Sequence, residues 1–96
     1  MMIRATVKVM LKDDVMDPQG TAVAQALASL GHTGVKRVRV GRAFDLTLEA
    51  DNADTARAEV RGMCESLLAN TVIERYDIEA VGEAAAASGD RAGAQA

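Results

Sequence analysis

Aromatic side chains are almost absent from this 96-residue sequence, which has one Phe, one Tyr and no Trp. Nucleic-acid grooves combine a positive surface with aromatic stacking platforms. A chain with a net charge of −3 and so few rings offers neither, which excludes nucleic acid as an expected partner. A single cysteine rules out an internal disulfide and fits a reducing compartment. No apolar run approaches the roughly 18 residues that a membrane-spanning helix needs. Arg4 and Lys8 interrupt the N-terminal apolar stretch, so a secretory signal is not expected either. The expectation is a cytoplasmic protein with no membrane association. The only histidine, His32, stands alone in a G-H-T-G turn, far short of a metal-ligand set. There is no C-x-x-C pair and no glycine-rich phosphate loop. Cys64 lies beside Glu65 on the apolar side of a helical stretch, where a small buried side chain fits better than a nucleophile. No catalytic, cofactor-binding or metal-binding residue is therefore expected in this chain.

What the sequence does contain is clean periodicity. Ile3, Ala5, Val7, Val9 and Leu11 alternate with Arg4, Thr6, Lys8 and Met10, the pattern of a half-buried strand. Val23, Ala26, Leu27 and Leu30 then recur at helical spacing, with Asp17 as N-cap, Pro18 at the first helical position and Gly31 just past the end. Val38 and Val40 alternate with arginines in a second strand, and Phe44, Leu46, Leu48 and Ala50 alternate in a third. Asp51 or Asn52 can cap a second helix whose face holds Ala56, Val60, Met63 and Leu67. Tyr76, Ile78 and Ala80 form a fourth strand.

The order β-α-β-β-α-β predicts an α+β, ferredoxin-like domain over residues 1–81, with two helices on one face of an antiparallel sheet. Strand order 4-1-3-2 would place basic columns (Arg4 and Lys8; Arg37 and Arg39) beside acidic ones (Asp45 and Glu49; Asp77 and Glu79). The expected core is Val7, Val9, Val23, Leu27, Leu46, Leu48, Val60, Met63 and Leu67. Residues 82–96 are rich in Ala and Gly and have no large apolar side chain beyond Val81, so they read as a flexible tail. A domain of this size has a small core and free sheet edges, which favours a homodimer or tetramer.

The stretch 11–22, L-K-D-D-V-M-D-P-Q-G-T-A, carries more than a helix start requires. Asp17 and Pro18 are explained by capping, whereas Lys12, Asp13, Asp14, Gln19 and Gly20 are not. Ordered loops carry function disproportionately, so Lys12, Asp13, Asp14, Asp17, Pro18, Gln19 and Gly20 form the candidate partner interface.

The same stretch resembles the opening of the PurS family, the small subunit of phosphoribosylformylglycinamidine synthase. Ser29, Leu30 and Gly31 followed by V-K-R-V-R-V-G at 35–41 resemble the family's second block, and M-C-E-S-L-L-A-N-T-V-I-E at 63–74 resembles its third. Thr71 stands where that block commonly has proline. The resemblance implies a non-catalytic subunit of a purine-biosynthetic complex that bridges a glutaminase subunit and a large synthetase subunit and assists ammonia transfer. ATP and Mg would be used by the synthetase, which makes formylglycinamidine ribonucleotide from formylglycinamide ribonucleotide and glutamine. From the residues alone, a small-molecule-sensing module and a purely structural oligomerisation domain remain open.

Overall fold

The structure, a computed structural model, describes residues 1–83. Its elements are β1 (Met2–Leu11), α1 (Pro18–Ser29), β2 (Gly41–Glu49), α2 (Ala53–Met63), a π-helical turn (Cys64–Leu68) and β3 (Glu74–Glu83). The fold is α+β, and β1 is the central strand of an antiparallel sheet of order β2-β1-β3. The register pairs Ala5 with Leu46 and Val81, and a bulge falls between Thr6 and Val7 on the β3 side. The alternation of β1 is borne out from Ile3 to Val9, where Ile3, Ala5, Val7 and Val9 are all buried, and fades at Leu11, half-buried like Met10 beside it. α2 lies over β1 and β3 and contributes Ala56 and Val60 to the core, and the π turn that follows adds Cys64.

Capping follows sequence chemistry. Asp17 accepts from the Gly20 N–H at 2.9 Å, and Asn52 accepts from the Thr55 N–H at 2.8 Å. At the end of α1, Gly31 adopts φ +100°, a conformation a side chain would strain. Its N–H reaches the Ala28 carbonyl at 3.0 Å, and the His32 N–H reaches that of Leu27 at 2.9 Å, the paired closure of a Schellman cap.

Three expectations need correction. The first is the fourth strand: among the described residues, 35–40 form no strand and the sheet has three strands. The second is the two-helix layer. α1 does not settle on the sheet as α2 does; Val23 is 37% and Leu30 75% exposed, and Leu27 is only half-buried. The third is Leu67, 82% exposed where α-helical spacing put it beside Val60. The π turn is responsible. The Ala69 N–H bonds the Cys64 carbonyl at 3.1 Å, one residue further back than in an α-helix. The buried face therefore steps from Val60 to Cys64 and on to half-buried Leu68, while Met63 is only half-buried and Leu67 swings outward.

The sheet charges pair partly as expected. Arg4 meets Asp45 at 2.8 Å and Lys8 meets Glu79 at 3.3 Å across strands. Asp77 instead pairs with Arg75 on its own strand at 3.3 Å, and Arg39 is used outside the sheet. β3 runs on through Gly82 and Glu83; the rest of the expected tail, residues 84–96, lies outside the described residues.

Candidate functional site at the loop between the first strand and the first helix

The chain leaves β1 at Leu11 and turns at once. The Val15 N–H closes the turn on the Lys12 carbonyl at 2.9 Å, and the Lys12 N–H bonds the Ile73 carbonyl at 2.8 Å. The loop is thereby joined to the turn that precedes β3. The side chains of Lys12, Asp13 and Asp14 point to solvent, and so does Pro18 as the first residue of α1.

Asp17 does more than cap. The residue is only 6% exposed. One carboxylate oxygen accepts from Gly20 and the other from the Val40 N–H at 2.8 Å. Arg39 donates to the carbonyls of Lys12 and Val15, both at 2.9 Å. Gly20 is buried because the Val38 carbonyl oxygen and the Asp17 carboxylate occupy the space a Cβ would need. Asp17, Gly20 and Arg39 together form a clasp that fastens residues 38–40 to the loop and the helix start. The surplus of special residues in this stretch is thus partly structural. Asp17 and Gly20 hold the chain, whereas Lys12, Asp13, Asp14 and Gln19 face outward.

Gln19 borders a recess of about 240 Å³ whose wall includes Leu11, Val40, Arg42 and Glu74. Sequence reasoning missed the last two. Arg42 grips both oxygens of Glu74 at 2.7 and 3.0 Å, donates to the Leu68 carbonyl at 2.7 Å, and stands 5.7 Å over the Phe44 ring. Glu74 also accepts from the Asn70 N–H at 2.7 Å. One arginine therefore ties the start of β2 to the start of β3 across the end of β1. Cys64 is fully buried, and desolvation followed by the neighbouring Glu65 pushes its thiol pKa up, the opposite of an activated nucleophile.

Two carboxylates here are held in the ionised form. The backbone N–H of Val40, then that of Gly20, lowers the Asp17 pKa, with Arg39 adding to the effect. Hydrogen bonds from Arg42, then from Asn70, lower that of Glu74. A group whose folded pKa is depressed gives stability that is complete above its unfolded value and is lost as pH falls through the folded one. The unfolded values are about 3.9 for Asp and 4.3 for Glu. The melting temperature is therefore expected to be flat from about pH 7 to 5 and to fall below about pH 4. Asp17→Asn should lower stability at neutral pH and flatten the acid limb. An acid limb identical to wild type would mean the clasp is not ionic.

Comparison with known proteins agrees over nearly all of the described chain. The family model for PurS, described as phosphoribosylformylglycinamidine (FGAM) synthase, matches residues 4–82. A relative from Mycobacterium leprae (strain TN), named phosphoribosylformylglycinamidine synthase subunit PurS, is 51% identical over 77 residues, covering 80% of this chain and 94% of the relative. The C2 crystal form of Bacillus subtilis PurS superposes with a TM-score of 0.75 at 47% identity, covering 84% of this chain and 99% of that one. A chain in the structure of PurLQS from Thermotoga maritima superposes with a TM-score of 0.77 at 30% identity, covering 82% of this chain and 96% of that one. The sequence blocks, the three-stranded sheet and these matches place the chain in the PurS family of phosphoribosylformylglycinamidine synthase subunits.

Proposed function

We propose that this chain is the small, non-catalytic subunit of phosphoribosylformylglycinamidine synthase in purine biosynthesis, working in the cytoplasm between a glutaminase subunit and a large synthetase subunit. The observation that carries the reading is the family match over residues 4–82, the same span that holds every described element but the strand tips. The site's chemistry supports a bridging role. Its polar side chains are spent on holding one segment of chain against another, and its one thiol is sealed in the core. ATP, its Mg and the transfer of nitrogen from glutamine then belong to the partner subunits, and this chain contributes surface and position. The outward side chains of Lys12, Asp13, Asp14 and Gln19 form part of the contact.

The chain acts as a homodimer, and pairs of dimers can form a tetramer. α1 keeps an apolar face of Val23, Leu27 and Leu30 that its own sheet leaves largely uncovered. α2 lies over β1 and β3, and the inward side chains of β2 (Phe44, Leu46 and Leu48) are only half-buried. Among the described residues, 35–40 join no strand and β2 is an edge strand of the sheet. A second copy supplies what each lacks. Its α1 lies on the uncovered β2 side, and its residues 35–40 pair along that edge. The four-strand, two-helix layer expected from the sequence is then completed between two chains.

Reconstitution tests the function. With purified glutaminase and synthetase subunits, omitting this chain should abolish glutamine-dependent synthesis and spare synthesis driven by added ammonia. The double change Lys12→Glu with Gln19→Ala should weaken the glutamine-dependent rate and leave the melting temperature within a few degrees, since both side chains are exposed. Glutamine-dependent synthesis at full rate without this chain would remove the proposal.

A further inference from the structure

The turn between α2 and β3 carries apolar side chains that the fold does not need. Leu67 is 82%, Val72 79% and Ile73 39% exposed. Leu67 would lie inward on a continued α-helix, and the π turn rotates it into water. Short π segments of this kind gather at functional positions. The turn itself is firmly built. The Ile73 and Glu74 N–H groups share the Asn70 carbonyl at 3.0 and 2.7 Å, and the Val72 N–H bonds the Asn70 side chain at 3.2 Å. The bond from Lys12 to Ile73 joins this turn to the loop that bears Asp13 and Asp14. Exposing two large aliphatic side chains on a rigid support costs the isolated chain and lowers the ordering cost of binding, which is the character of an interface hot spot.

We propose that Leu67, Val72 and Ile73 form a preorganised apolar tip that seats in a depression on a non-identical protein subunit. That depression has apolar walls and a lysine- or arginine-bearing rim facing Asp13 and Asp14. The inference rests on the bridging role proposed above. The charge argues the occupant: the chain is net −3, and the loop welded beside the tip presents two outward carboxylates, Asp13 and Asp14, against one outward lysine, Lys12. A second copy of this chain is the poorer fit, because it brings the same carboxylates, and the dimer proposed above uses α1 and residues 35–40 at β2 instead.

The test uses the full chain with purified glutaminase and synthetase subunits, following assembly by sedimentation velocity. Leu67→Asp and Val72→Asp, made separately and together, should each melt within a few degrees of wild type and keep the wild-type homo-oligomeric mass. Assembly should weaken by at least tenfold in each single variant and more in the double. Leu67→Met should assemble as wild type does, and raising salt should weaken wild-type assembly. Undiminished assembly by the folded double variant overturns the proposal. So does a fall in homo-oligomeric mass, which would make a second copy the occupant. Failure of the wild-type chain to join either subunit would overturn the bridging role itself, and is read in the same run before any variant.

Discussion

A chain carrying Leu27→Asp is expected, on the homodimer proposed above, to sediment as a monomer at concentrations where the wild type self-associates. Leu27 lies midway along the exposed face of α1, half-buried even in one copy by its own neighbours. In a two-fold interface the same substitution appears twice. Full burial of a leucine is worth about 1.5–3 kcal/mol, and with half of it already gained in one copy the change removes about 1.5–3 kcal/mol over the two copies together, so the dissociation constant should rise by roughly 10- to 100-fold. An unpaired carboxylate in the contact adds to that. The single-copy fold should survive, because Leu27 is not among the residues of the buried core. Far-UV circular dichroism should therefore be nearly unchanged while light scattering reports half the mass. A dimer that persists at the wild-type dissociation constant would show that α1 is not the contact, and would return attention to the outer sheet face around Arg4, Thr6 and Lys8.

The division between contacts within one chain and a face left uncovered also sets how much of the fold is legible in the sequence. Alternation in β1 reports burial on one face, and the neighbours that provide it lie in the same chain, so Ile3, Ala5, Val7 and Val9 were legible. Val38 and Val40 alternate equally well, but periodicity states that a segment suits a sheet and not which chain's sheet. Val23 and Leu27 are the helical counterpart: their spacing marks a face to be covered and is silent on the cover. Leu67 failed for a different reason. α-Helical spacing assumes about 3.6 residues per turn, and a single π turn breaks that count with no proline or glycine at the point of change. Within the loop, the capping role of Asp17 was legible because it is local. Its second bond, to Val40, joins residues 23 apart in sequence. The sign that something approached closely was Gly20, placed in the first turn of a helix where glycine has no helical advantage. The Arg42–Glu74 grip offered no such sign, because isolated charges on strands usually face water.

Gly20 should respond to substitution in the opposite sense to an ordinary helical glycine. Replacing a helical glycine by alanine normally stabilises a protein by about 0.4–1 kcal/mol, since alanine loses less freedom on folding. Gly62 should behave so. It is exposed within α2, and an added Cβ there meets nothing within 4 Å. Gly20→Ala should instead destabilise. The added Cβ meets the Val38 carbonyl oxygen, a backbone atom that cannot rotate aside, as well as the Asp17 carboxylate. Overpacking of this kind costs about 1–3 kcal/mol, which for a domain this small is a fall of roughly 5–20 °C in melting temperature. The clash also pushes residues 38–40 off the clasp, so that segment should lose its fixed direction and the proposed dimer should weaken with it. Both variants can be made on one chain and read by the same thermal melt, Gly62→Ala moving up and Gly20→Ala moving down. If both moved up, residues 38–40 would not lie against the start of α1 in solution, and the clasp built from Asp17, Gly20 and Arg39 would have to be abandoned.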